Sequence, residues 1–101
     1  MFETIQNLNA DPQVHGMIVQ MPLDCDEKID ATAALNAVAE EKDVDGLTLL
    51  NQGKIANGYL DSAFKPCTPA GCMTLIESTG HKLSGSTAVV IGTFFKYLKH
   101  S

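Results

Sequence analysis

The chain has 101 residues, 45% hydrophobic and 19% charged, which suits one small folded domain and is too short for two. Twelve acids stand against seven lysines and no arginine, a net charge of -5. That balance repels nucleic acid, whose phosphates need clustered cations, and no apolar run approaches the roughly 20 residues of a membrane span.

Met1–Asn9 mixes Glu3, Gln6 and Asn7 with apolar residues, unlike a signal peptide. Apolar residues at 1, 2, 5 and 8 predict a helix over Met1–Leu8. Asn9-Ala10-Asp11-Pro12 is expected to end it, because proline disfavours helical geometry in the residue before it. With no capping residue ahead, this helix reads as the tail of a longer one. Val14–Met21 (VHGMIVQM) is a nearly continuous apolar run closed by Pro22, the pattern of a strand buried on both faces of a parallel sheet.

Eight of the twelve acids fall between Asp24 and Asp45, a run that suits a solvated surface. Within it, Ile29–Val38 has apolar or small residues at 29, 31, 34, 35 and 38, predicting an amphipathic helix capped by Asp30. Glu40–Gly46 predicts a polar loop and Leu47–Leu50 a short apolar piece. Asn51–Gly58, with two glycines and two asparagines, predicts a turn-rich stretch. Pro66-Cys67-Thr68-Pro69 opens a clearer helix, with Thr68 as N-cap, Pro69 as first helical residue and Gly80 as left-handed stop. Cys72, Met73, Leu75 and Ile76 would share one face of it. Ala88–Gly92 reads as a second buried strand of parallel type. Strand, helix, helix, strand is α/β organisation. Two buried strands cannot make a doubly wound sheet alone, so the expected fold is part of a larger one.

Ligands of open α/β sheets bind beyond the carboxyl ends of the strands, where Gln20 falls on the first run. Its amide can read the edge of a heterocycle; taken alone, it is more commonly a strand-end side chain bonded to backbone or water. Asp43 and Asp45 flank Val44. In an extended segment both carboxylates would share a side and could accept N–H bonds from an amino-heterocycle or move protons. Taken alone, Asp-Val-Asp-Gly is more commonly just a turn. Gly92 ends an apolar strand, as the first glycine of a dinucleotide fingerprint does, but no glycine follows it. Cys25, Cys67, Cys72, His15, His81 and His100 show no metal-ligand spacing and read as structural or surface residues. The odd number of cysteines excludes a complete disulfide framework, and the thiols fit a reducing compartment.

Taken together, several segments resemble the methylenetetrahydrofolate dehydrogenase/cyclohydrolase family. They are Asn9-Ala10-Asp11, His15-Gly16-Met17-Ile18-Val19-Gln20-Met21-Pro22-Leu23, Lys42-Asp43-Val44-Asp45-Gly46, Pro66-Cys67-Thr68-Pro69 with Gly71, and Ala88–Gly92. The likeness covers about residues 1–92. It implies a partial parallel-sheet catalytic domain over 1–66, a connector helix and loop over 67–85, and the first strand of a Rossmann domain over 86–92. Residues 93–101 form a tail unlike the family. The family oxidises 5,10-methylenetetrahydrofolate with NADP or NAD and hydrolyses the methenyl product to 10-formyltetrahydrofolate.

By that resemblance Val19, Gln20 and Met21 line the folate pocket, Asp45 binds the pterin ring, and Gly92 opens the cofactor loop. Pro22 would fix the turn that presents the pocket wall. The likeness also implies a homodimer in the cytoplasm or, alternatively, the mitochondrion. Two departures bear on activity. The family's catalytic lysine lies in a Tyr-x-x-x-Lys pair, and neither Tyr59 nor Tyr97 has a lysine four residues on. Where the family has Arg-Ser after the glycine, this chain has Thr93-Phe94. The isolated chain is therefore expected to be inactive, and the alternative reading is a non-catalytic protein that associates with full-length subunits.

Overall fold

A computed structural model describes residues 1–91. Gly92 and the 93–101 tail lie outside the described residues. The chain divides into one compact unit over Met1–Pro66 and a second from Cys67 onward.

The first unit opens with helix α1 (Phe2–Ala10). It ends where Pro12 requires: Asp11 is extended at φ -79°, ψ 115°, and its side chain accepts from the Gln13 N–H. Helix α2 (Ala31–Asn36) is shorter than the Ile29–Val38 periodicity predicts, and its cap is the expected one. The Asp30 carboxylate accepts from the Thr32 and Ala33 N–H groups at 2.9 and 3.1 Å. A 3-10 turn over Glu40–Lys42 follows.

Helix α3 (Leu49–Ala56) replaces the expected turn-rich stretch. Thr48 caps it, its Oγ1 accepting from the Asn51 N–H, and Gly58 continues past its end at φ 81°. Asn51 and Gly53 are poor helix formers, so contacts from outside hold the helix. Asn36 Oδ1 accepts from the Leu49 N–H at 2.8 Å, Lys54 pairs with Glu40, and the Lys54 ammonium also reaches the Ser62 carbonyl.

The core of this unit is small: Ile5, Ala34 and Val38 are its buried apolar side chains among the described residues. Buried polar groups supply much of the rest, namely Lys42, Asp43, Thr48 and Asn51. Among the described residues no strand ladder forms. Val14–Met21 contributes one isolated parallel bridge, Met17 with Asp43, and residues 88–91 pair with nothing in a ladder. A strand pattern buried on both faces needs neighbouring strands to complete its hydrogen bonds.

The second unit carries helix α4 (Cys67–Ser78). It begins one residue before the expected cap, so Thr68 is its second residue and not its N-cap. Gly80 is left-handed at φ 74°, as its role as a stop requires. Met73, Leu75, Ile76, Val89, Val90 and Ile91 are all exposed. No helix among the described residues is long and apolar enough to cross a membrane.

Candidate functional site

The site is built around the turn Asp43–Gly46, which is fastened on three sides. Upstream, Lys42 is 8% exposed, and its ammonium donates to the carbonyls of Leu8, Asn9 and Asp11, each at 2.7 Å. Those carbonyls lie at and just past the C-terminal end of α1, where the helix dipole is negative and the last carbonyls lack helical partners. Asn9 ties the same helix end to the chain before Lys42. Its Nδ2 donates to the Ala37 carbonyl at 2.8 Å and its Oδ1 accepts from the Ala39 N–H at 2.9 Å.

Asp43 faces inward. Its carboxylate accepts from the Leu47 and Thr48 N–H groups at 3.2 and 2.9 Å and from Asn51 Nδ2 at 2.7 Å. Burial alone would raise the Asp43 pKa. The hydrogen bonds from Asn51, Thr48 and Leu47 outweigh it and hold the carboxyl below its ordinary value. The charge is therefore kept at neutral pH and serves the turn.

Downstream, Gly46 closes the turn at φ 65°, its N–H donating to the Asp43 carbonyl at 3.1 Å. A Cβ there would stand 2.2 Å from the Phe64 carbonyl oxygen. The two carboxylates therefore do not share a side on an extended strand. Asp43 is buried within the turn and Asp45 is half-buried.

The Val14–Met21 segment runs beside this turn. The Met17 N–H donates to the Lys42 carbonyl at 2.8 Å, and Met17 and Asp43 form the parallel bridge. Val19 and Asp45 thus each lie two residues beyond the bridged pair, on chains running the same way. Val19 and Met21 are half-buried. Gln20 is exposed, its Nε2 donating to the Met21 carbonyl at 3.1 Å, and the Met21–Pro22 peptide is cis. A separate hollow of about 520 Å³ is lined by Glu40, Glu41, Asn51, Asp61, Ser62, Ala63 and Phe64. None of Val19, Gln20, Met21 or Asp45 is in that lining.

Periodicity missed Lys42, Asn9 and Asn51 as organising residues. Lys42 is one of only two cations in the acidic run from Asp24 to Asp45, the other being Lys28. That isolation was the one available hint of a buried role.

The turn thus holds an inward Asp43 carboxylate and a half-buried Asp45 beside an apolar segment. Residues 1–45 match the family described as tetrahydrofolate dehydrogenase/cyclohydrolase, catalytic domain. The likeness runs further along the chain in individual relatives. The cytoplasmic C-1-tetrahydrofolate synthase of Rattus norvegicus is 55% identical over 86 residues, 85% of this chain and 9% of that protein. The Drosophila melanogaster protein of that name is 52% identical over 92 residues, 91% of this chain and 9% of its own length. The bifunctional protein FolD of Sinorhizobium fredii is 47% identical over 93 residues, 91% of this chain and 30% of FolD. The chain thus spans about a tenth of the first two and under a third of the last.

Proposed function

We propose that this chain carries one wall of a reduced-folate site, formed by Val19, Gln20, Met21 and Asp45. The observation that carries the reading is the Met17–Asp43 bridge, which sets the two short segments holding these residues side by side. A pterin offers a row of ring and amino N–H donors and ring acceptors. A carboxylate such as Asp45 accepts from the donors, and a Gln20 amide can do both.

The activity proposed for a complete protein of this kind belongs to folate one-carbon metabolism. It is the NAD(P)-dependent oxidation of 5,10-methylenetetrahydrofolate followed by hydrolysis of the methenyl product to 10-formyltetrahydrofolate. The fold proposed for it is a parallel α/β sheet joined by α4 to a Rossmann domain. A cytoplasmic homodimer completes the proposal, its compartment supported by relatives named as cytoplasmic. Gly92, expected at the dinucleotide loop, lies outside the described residues, so the cofactor rests on sequence alone.

The 101 residues contain no Tyr-x-x-x-Lys pair. Without that proton-handling group the chain by itself binds but does not turn over. Calorimetric titration of the purified chain with tetrahydrofolate tests the site. Binding that is lost in Asp45→Ala and weakened in Gln20→Ala is expected. No heat of binding to the parent chain, or an Asp45→Ala variant that binds as the parent does, overturns the reading.

A second reading, association with full-length subunits, is favoured by the exposed run Val89, Val90 and Ile91, at 82%, 87% and 96%. Co-purification with a full-length relative supports it, and a monodisperse monomer in the presence of that relative counts against it.

A further inference from the structure

The geometry points to Gly16 and Val44 as a spacing pair that sets the distance between the Val19–Met21 wall and Asp45. This inference rests on the folate reading above for its functional consequence. Its structural half stands on the contacts alone.

A Cβ built on Gly16 would lie 2.4 Å from Val44 Cγ1, with Val44 Cβ and Cγ2 each at 3.6 Å. Val44 Cγ1 therefore occupies the space a Gly16 Cβ would need, while Cβ and Cγ2 stand at ordinary contact distance from it. Val44 is stiff about χ1 because it is β-branched, so turning it relieves the overlap poorly. Nor can its backbone retreat. Lys42 is tied to three carbonyls of the α1 end, Asp43 to two N–H groups and the Asn51 amide, and Gly46 closes against the Phe64 carbonyl.

The partner free to yield is then the Gly16 segment, whose next residue makes the Met17 N–H to Lys42 carbonyl bond. A methyl at position 16 would push this segment away, break that bond and open the gap between Gln20 and Asp45. Removing the Val44 methyls should close it again. Neither residue contacts ligand in this account; both are positioning residues.

The test pairs Gly16→Ala with the double variant Gly16→Ala/Val44→Ala in the full 101-residue chain. Far-UV circular dichroism checks that both remain folded. Tetrahydrofolate affinity is expected to fall about tenfold in Gly16→Ala and to return to within about threefold in the double variant. Damage elsewhere would not be repaired by deleting a second side chain, so the recovery ties the loss to the Gly16–Val44 contact. Amide exchange at Met17 supplies a readout independent of folate. Its protection should drop in Gly16→Ala and reappear in the double variant. If the parent chain does not bind tetrahydrofolate, the site reading fails while Met17 exchange still decides the spacing. Unchanged Met17 protection in Gly16→Ala, or no recovery in the double variant, overturns the inference.

Discussion

Asn51 Nδ2 donates to Asp43 Oδ2 at 2.7 Å, and the two side chains are 1% and 4% exposed. The bond joins helix α3 to the turn that carries Asp45. It also fixes the amide's orientation, leaving Asn51 Oδ1 buried without a partner among the described residues. A buried charge kept by such a bond is sensitive to anything that removes the donor.

Two substitutions at Asn51 should separate loss of the bond from reversal of it. Asn51→Ala deletes one donor and the orphaned oxygen together, and should cost about 1–2 kcal/mol. Asn51→Asp sets a second carboxylate against the Asp43 carboxylate and should cost clearly more at neutral pH, easing as the pH falls. Urea unfolding of both variants at two pH values measures this. Equal costs at neutral pH would refute the assignment.

Acid should weaken the first unit through Asp43. Its folded pKa lies below the ordinary 3.8, so its contribution is fully present above that value. It is lost progressively as the pH drops through the lower folded pKa. An Asp43→Asn variant should be less stable at neutral pH and flatter below pH about 4. A thermal-melting series from neutral to acid compares the two slopes, and parallel slopes would remove Asp43 from the account.

Lys42→Met should be more damaging than its surface-like sequence setting suggests. It keeps most of the length of the side chain but strips the carbonyls of Leu8, Asn9 and Asp11 of their charged donor. Hydrogen bonds to charged groups contribute about 1.5–3 kcal/mol each at most, and three sharing one ammonium should together give a loss of about 2–4 kcal/mol. Chemical denaturation reads this directly. A variant as stable as the parent would show that α1 docks without the ammonium.

Gly46→Ala meets two obstacles at once, a positive φ and a carbonyl 2.2 Å from the new Cβ. Gly58→Ala meets only the first, since nothing lies within 4 Å of its Cβ. The strain at either costs about 1–2 kcal/mol, and the clash at Gly46 adds to it. Gly46→Ala should therefore yield little soluble protein where Gly58→Ala is recovered. Comparable yields would mean that the Phe64 carbonyl can move aside.

What the sequence revealed follows from what is local. Pro12 marked the end of α1, Asp30 the cap of α2, and Gly80 the stop of α4, because each acts through neighbours a few residues away. Helix α3 was hidden for the opposite reason. Asn51 and Gly53 argue against a helix, and the bonds that overrule them come from Asn36, Asp43 and Glu40. Thr48 followed by Asn57-Gly58 was its legible signature. In sequence the Asp43–Asp45 pair fits either a strand or a turn. The turn prevails because Asp43 has local N–H donors at Leu47 and Thr48. The apolar runs 14–21 and 88–92 speak of strands, but a ladder needs partner strands.

The Lys42 ammonium finds its acceptors 31 to 34 residues earlier in the chain. Trimming the first turns of the protein would therefore do more than shorten a surface helix. A version begun at Pro12 would leave a cation enclosed near Asp43 with its cradle gone, and water would have to enter to solvate it. The amino-terminal eleven residues are thus an integral counterpart of the Asp45 turn, and any shortened form meant to retain that turn has to keep them.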